Sequence, residues 1–436
     1  MLMLHISDIH FKSPDCNDPF TDPDRPVRTR MMDDLREQVE VMGKVGAILV
    51  GGDIAYKAAA DEYKVALAWL SQLAEISGCP KERIFVVPGN HDVDRMVIKA
   101  SMPIRNAQNA IAATALKHRE GALRAQLLDK DSGQSLLKPH AEYNVFAAPF
   151  NCQIWPNKPF WHQDVPLTDG VTLRLYGLTS TLLSGLNGNN DVKGKLYLSP
   201  LQTSIDPAAN TINLVLSHHP VDWLEDCEAV DDRLNARAQI QLFGHKHKQR
   251  AVMETNYVRL GAGSINPSRS EQPYQPGYNL ISLKVTGKGP KRCVDVEVLQ
   301  RRMQDHPEQY IAISNGVSGD IFHSSISLPE KDKLPSSKAA EMLTASSPTE
   351  VSIIDGSGGL KSDAEADMGE KHTRELLYRF WRLTSSQRRE IMTDLGLIEN
   401  GEMGLPEPER YGRALIRAAE QNKIEDVATS VANLET

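Results

Sequence analysis

Short apolar runs alternate along the chain with helical patterns, and glycine, proline or polar residues end each run. Leu2 to Ser7 is a run of strand length. Val45 to Val50 is a second, ending in Gly51-Gly52, and Arg83 to Val87 is a third, stopped by Pro88-Gly89. Between them the period changes. Arg28 to Val41 is rich in charge and reads as a helix, and Asp61 to Ile76 sets Leu67, Leu70 and Leu73 on one helical side. Strand–helix–strand order with helical crossovers predicts an α/β core. Val171 to Leu178, Ile212 to Leu216 and Gln239 to Phe243 predict further strands. Tyr257 to Leu260, Asn279 to Val285 and Val294 to Leu299 read as late antiparallel ones. Met96 to about Gln126 is Ala-rich and helical, which predicts a cap or insertion over about residues 96–145.

The pattern changes again after about Leu328. Residues 329–370 carry Ser-Ser-Pro and Gly-Ser-Gly-Gly stretches with few aromatics and read as a flexible linker, with Val351 to Ile354 a short ordered piece in it. From Thr373 the period is helical, with Leu376, Leu377, Phe380 and Trp381 on one face. Thr384 with Gln387 three residues on predicts a capping box opening a helix through Ile391 and Leu395. Tyr411 to Ala419 and Ile424 to Val431 predict two more helices. The expected organisation is a first domain over 1–328, a linker over 329–370 and a small all-α domain over 371–436. At roughly 60 residues such a tail is small but foldable. It is expected to serve as an interaction module for a protein partner. Phe380 and Trp381 are expected in its core.

Composition narrows the class. The 436 residues are 40% hydrophobic and 24% charged, with a formal net charge of -8. No basic tail points to nucleic acid, although a local basic groove can hide in an acidic total. Cys16, Cys79, Cys152, Cys227 and Cys293 are scattered and form no CxxC pair, which fits a reduced, cytoplasmic setting better than a disulfide framework. The first motif follows directly on the opening strand, so no signal peptide is expected. No apolar run is long enough to span a membrane.

Chemistry enters through five motifs, each just after a strand-like run: Asp8-Ile9-His10, Gly52-Asp53, Gly89-Asn90-His91-Asp92, His218-His219-Pro220 and Gly244-His245-Lys246-His247. Residues i and i+2 at a strand end project to one side, so Asp8 and His10 are expected to reach one ion, and His245 and His247 to serve one ion each. Asp53, with two oxygens, is the natural shared ligand. Asn90 supplies a neutral carbonyl oxygen. Cations held roughly 3.5–4 Å apart lower the pKa of a bridging water and clamp phosphoryl oxygens during in-line attack. Mixed imidazole, carboxylate and amide donors favour two transition-metal ions such as Mn, with Fe, Zn or Ni as alternatives, over Mg alone. His91 is expected to protonate the leaving oxygen or to stabilise charge in the transition state. Asp92 orients it or caps the following helix. His219 competes with His218 as ligand. Trp155, Phe160 and Trp161, in a Pro-rich segment, read as packing or a lid ahead of a stacking platform for a base.

This set resembles the calcineurin-like metallophosphoesterase superfamily, whose pattern is DxH, GD, GNH(D/E), H and GHxH, over about residues 1–300. The resemblance implies a four-layer fold, a two-sheet β-sandwich flanked by helices, with ligands on loops at strand ends. It assigns Asp8, His10 and His247 to one metal and Asn90, His218 and His245 to the other, with Asp53 bridging. The family's His-x-Pro form selects His218 over His219. The Asp-x-His and Asn-His-Asp forms look more like the phosphodiesterase and nuclease branches than the protein Ser/Thr phosphatases. The expected activity is hydrolysis of a phosphodiester in a nucleotide or nucleic acid by a metal-bridging hydroxide. A cyclic-nucleotide phosphodiesterase, a small-molecule phosphomonoesterase and an inactive scaffold on the same fold are the alternatives. Leu376-Leu377-Tyr378-Arg379-Phe380, Gln387-Arg388-Arg389-Glu390-Ile391 and Arg417-Ala418-Ala419-Glu420 resemble small adaptor domains attached to effectors in bacterial conflict systems. That resemblance implies a nuclease-like effector in bacterial defence, recruited by a partner.

Overall fold

A computed structural model describes residues 1–314, 316, 319–328, 375–399, 401–405 and 407–434. The expected linker over 329–370, with Val351 to Ile354, lies outside them.

Two sheets build the first part of the chain, residues 1–328. The first contains the parallel strands β1 (Leu2–Ile6), β2 (Val45–Val50) and β3 (Ile84–Val86). β10 (Gly277–Thr286) pairs antiparallel with β1, and β11 (Cys293–Asp305) pairs antiparallel with β10. β12 (Glu308–Ala312) and β13 (Ile321–Ser327) both pair with β11. The second sheet runs β4 (Trp161–Pro166), β5 (Thr172–Leu178), β6 (Thr211–Ser217), β7 (Ile240–Phe243), β9 (Val258–Gly261) and β8 (Arg250–Met253). Its four inner strands are parallel and its edges antiparallel.

Alternation along the strands explains the layering. Leu173 and Leu175 of β5, with Ile212, Leu214 and Leu216 of β6, share one core with Leu4, Ile48 and Leu49 of the first sheet. Tyr176, Leu178 and Val215 point the other way, onto Val230 and Leu234 of helix α8 (Cys227–Arg237). Helices α1 (Arg25–Met42) and α2 (Ala60–Ser77) contribute Met31, Leu35, Leu70 and Leu73 to the shared core. The result is the expected four-layer order of helices, sheet, sheet, helix.

The stretch expected as a helical insertion is five short helices: α3 (Arg95–Ala100), α4 (Met102–Ala112), α5 (Leu116–Leu128), α6 (Lys130–Leu137) and α7 (Ala141–Ala147). It leans on loops of the second sheet. Gln108 donates to the carbonyl of Ser184 at 3.2 Å, and buried Arg119 pairs with Glu225.

The tail helices are 375–382, Ser385–Asp394, Glu407–Glu420 and Ile424–Leu434. The capping box forms: the Gln387 N–H donates to the Thr384 hydroxyl at 3.3 Å, and the Thr384 N–H donates to Gln387 Oε1 at 2.9 Å. Leu376, Phe380, Met392, Tyr411 and Val427 form a separate core, with Trp381 packed on it. Tyr378 leaves that core. It is buried in the core of the two-sheet region instead, its hydroxyl 3.1 Å from Ser71 Oγ and its ring 6.3 Å from that of Phe150. The tail is therefore docked through this side chain, which its helical period does not reveal.

Candidate active site

The five motifs lie at the carboxyl ends of β1, β2, β3, β6 and β7, so parallel strands of both sheets deliver them to one edge of the sandwich. Backbone bonds zip the first two loops together. The N–H groups of Asp8, Ile9 and His10 donate to the carbonyls of Gly52 and Asp53 at 2.9–3.0 Å. Across the sheets, the His245 N–H donates to Asp8 Oδ2 at 3.0 Å. Gly52 is required at the junction. Its φ is 92°, and an added Cβ would lie 2.7 Å from the Gly89 nitrogen and 2.8 Å from His218 Nδ1.

Seven expected ligand residues come together. Asp8, His10 and His247 offer atoms within 4.8 Å of one another, as do Asp8, Asp53 and His218. His218 Nδ1 donates to the Gly51 carbonyl at 2.8 Å. Its Nε2 then faces Asn90 Oδ1 at 3.1 Å, His245 Nδ1 at 3.2 Å and Asp53 Oδ2 at 3.4 Å. Asp53 Oδ2 also lies 3.9 Å from His10 Nε2, while Oδ1 accepts the His91 N–H at 2.7 Å. Asp53 thus stands between the two halves of the cluster. His247 Nε2 lies 3.2 Å from Asp8 Oδ1.

This donor set fits cations. The His218 imidazole, with a proton on Nδ1, turns Nε2 toward an amide oxygen, a carboxylate and another imidazole. Such a convergence of acceptors needs either a proton or a positive ion at its centre.

The backbone corrects one part of the sequence reasoning. The i and i+2 ligands do not share a side through strand pleating. Asp8, His10, Asp53, His245 and His247 have φ values of 55°, 53°, 52°, 68° and 54°. Left-handed turns just past the strands aim these side chains inward, a conformation that costs non-glycine residues energy and clusters at functional sites.

Electrostatics divides the histidines. Burial pushes His10 down to about 4 and His245 down to about 3. Burial also acts downward on His218 and His247, but Asp53 raises His218 to about 9, and Asp8 with Glu271 raises His247 to about 10. Burial acts upward on Asp8 and Asp53, yet His247 beside the first and His218 beside the second hold both below the usual carboxylate range.

His91 lies at the basin wall. Its ring stacks on Tyr56 at 5.0 Å, and Nδ1 donates to the Tyr56 carbonyl at 2.6 Å. That carbonyl, not Asp92, orients the ring. Asp92 is fully buried. Its Oδ2 accepts the N–H groups of Gly89 (2.9 Å) and Ile54 (3.2 Å), and its Oδ1 accepts the Ala55 N–H (3.0 Å) and the Tyr63 hydroxyl (2.9 Å). Burial, then the Asp53 charge, pushes its carboxyl up to about 6. It clamps the Asp53 loop to the Asn90 loop.

His219 is buried behind the cluster, its Nδ1 2.9 Å from Ser180 Oγ and its Nε2 3.7 Å from Asp191 Oδ2. With His218 and His245 it forms a further group able to hold an ion. Trp161 is packing: it is buried and donates Nε1–H to the Val86 carbonyl at 3.1 Å. A cavity of about 420 Å³ opens beside the histidines, lined by His10, Lys12, Tyr56, His91 and His247 among others. The sequence does not single out Tyr56, Tyr63 or Glu271, which belong to no motif.

Residues 1–249, more than half of the chain, match the family model described as calcineurin-like phosphoesterase. The chain belongs to that family. Proteins of this family generally bind two divalent metals, and the family places the chain among phosphoesterase hydrolases. Residues 372–433 match the GTPase-associated adaptor domain, in line with the adaptor resemblance of the tail. No curated protein matches the chain. Similar solved structures include a mutant Vps29 from Entamoeba histolytica, with 12% identity, 76% of this chain and 100% of that one covered, and a TM-score of 0.28. A predicted phosphoesterase from Streptococcus pneumoniae has 14% identity, coverage of 74% and 97%, and a TM-score of 0.26. A putative 5'-nucleotidase from Staphylococcus aureus has 11% identity, coverage of 78% and 57%, and a TM-score of 0.31. No helix among the described residues is long and apolar enough to cross a membrane.

Proposed function

We propose that the chain is a binuclear metal-dependent phosphodiesterase acting on a nucleotide or nucleic acid. The observation that carries this reading is the convergence on His218 Nε2 of Asn90 Oδ1, His245 Nδ1 and Asp53 Oδ2, with His10, Asp8 and His247 grouped on the other side of Asp53. In this reading Asp8, His10 and His247 hold one cation, Asn90, His218 and His245 hold the other, and Asp53 is common to both. Two divalent cations, Mn foremost, supply the activated water and the charge neutralisation for in-line displacement.

The chain's own residues do the rest. His91, fixed through Nδ1, keeps Nε2 to deliver a proton to the leaving oxygen. Lys12, with its ammonium 5.0 Å from the centre of the exposed Tyr56 ring, presents a cation at the cavity wall. Arg28 in that wall is taken up by Asp22, and Arg269 lies 3.8 Å from Asp24 and donates to the Pro23 carbonyl. A wall with Arg28 and Arg269 so matched, and Asp15 added, favours a small nucleotide over a long polyanion.

We assign residues 1–328 to catalysis and 371–436 to an adaptor that binds a protein partner, in keeping with the tail's family match and with a bacterial-defence effector. The test is hydrolysis of cyclic nucleotides, single-stranded DNA, duplex DNA, RNA and paired chromogenic mono- and diesters with added Mn. Asp53→Ala runs as the control. Diester turnover absent from the control supports the proposal. Clear preference for the monoester sinks it.

A further inference from the structure

We infer that Glu271 is a positioning residue for His247, and that the strap over residues 264–271 is a working part of the cation site; the inference rests on the metal reading above. The family match ends at residue 249, so this strap lies beyond it.

Three observations carry it. First, His247 Nδ1 lies 2.8 Å from Glu271 Oε1 and 3.0 Å from Oε2. A carboxylate accepts, so Nδ1 holds the proton. When the ring is neutral its lone pair is therefore on Nε2, which faces Asp8 Oδ1 at 3.2 Å. Glu271 therefore selects the tautomer a cation needs and fixes the ring about its axis.

Second, Glu271 is itself held. Oε1 also accepts the Ser268 N–H at 2.9 Å, and the Glu271 N–H donates to the Ser268 carbonyl at 2.8 Å. A small closed loop thus presents the carboxylate. An exposed ion pair between two free side chains has no such support and contributes little.

Third, the same strap grips the loop that carries Asp8 and His10. The Ile265 N–H donates to the Ser7 carbonyl at 3.1 Å and the Asn266 N–H to the Asp8 carbonyl at 3.2 Å. Buried Ser264 adds a bond from Oγ to the Asp8 carbonyl at 2.8 Å, and the Asn266 amide donates to the Ile9 carbonyl. One end of the strap fixes Asp8 and His10 and the other fixes His247. The three ligands of one cation, which come from opposite sheets, are thereby set against one another.

Calorimetric titration of Mn²⁺ into the cation-free full-length chain tests this, with Glu271→Ala and Glu271→Gln beside the parent. Two binding steps are expected in the parent. Glu271→Ala should weaken one step by about 10–100-fold and spare the other. Glu271→Gln, whose amide oxygen still accepts from Nδ1–H, should recover most of the loss. In the cation-free chain at a pH high enough to make the His247 ring neutral, its ¹⁵N shifts should report a fixed Nδ1–H tautomer in the parent and a mixture in Glu271→Ala. Unchanged steps in a folded Glu271→Ala, or equal loss at both steps, overturns the inference alone. A parent chain that binds no divalent cation overturns the metal reading and the inference with it. Circular dichroism separates misfolding; should Glu271→Ala misfold, Glu271→Gln decides, and a loss there as deep as elimination of one step overturns the orienting role.

Discussion

The Tyr63 hydroxyl donates to Asp92 Oδ1 at 2.9 Å, and through this bond helix α2 holds the clamp between the Asp53 and Asn90 loops. Asp92 sits inside a motif whose neighbours face the basin, yet its contacts are those of a structural anchor. Asp92→Ala should leave the N–H groups of Ile54, Ala55 and Gly89 buried without that acceptor, at about 1–3 kcal/mol each. Tyr63→Phe should cost about 1 kcal/mol. Urea unfolding of the cation-free chain measures both, and an Asp92→Ala protein as stable as its parent would contradict the anchor.

His91 is expected to separate turnover from cation content. His91→Ala should lower kcat by about 10²–10⁴-fold while cation content by elemental analysis stays at the parent level. Loss of cations together with turnover would make His91 a ligand, for which its grouping with His10 and Asp53 leaves room.

Protons and cations should compete in this basin. With His218 raised to about 9 and His247 to about 10, both hold protons at pH 7 in the cation-free chain. Cation affinity should rise with pH up to that range, and binding at pH 7 should release protons to the buffer. Titrations in buffers of different ionisation enthalpy read the release; identical heats would count against it. For folding the sign is opposite. Both groups lie above the ordinary value of 6.5, so their contribution to cation-free stability is fully present below 6.5 and is lost as pH rises through 9 and 10.

Docking of the tail should be measurable through Tyr378. Tyr378→Ala removes a buried ring and should cost about 3 kcal/mol. Tyr378→Phe keeps the ring, loses the bond to Ser71 and should cost about 1 kcal/mol. Calorimetric melting should move down in that order, and parental melting of Tyr378→Ala would show that the ring is dispensable.

Local signals in the sequence account for much of this structure. The run Val45 to Val50 reads as a strand because a parallel strand buried on both faces is apolar throughout, and it is found with those bounds. The ligand residues are legible because each follows such a run. Their left-handed backbone is not, since Asp and His adopt positive φ more often than most residues but still uncommonly, so their identity alone does not mark the turn. Glu271 is invisible because it reaches His247 through a loop with no motif. Trp161 takes the packing role that its sequence reading favoured, and Gly177 on the facing strand leaves room for the indole inside. Tyr378 falls within the helical period of the tail, and nothing local says that it belongs to a different core.

That exchange of one tyrosine has a consequence for how the two parts of the chain can be inherited. A helical tail with its own core is ordinarily portable between proteins. Here the tail carries a side chain whose socket, at Ser71 and Phe150, belongs to the two-sheet region. Transplanted alone, the tail would present a bare tyrosine to water, and the parent enzyme would be left with an open apolar cup. The two parts are matched as lock and key, and a recombination that swaps one must bring the other.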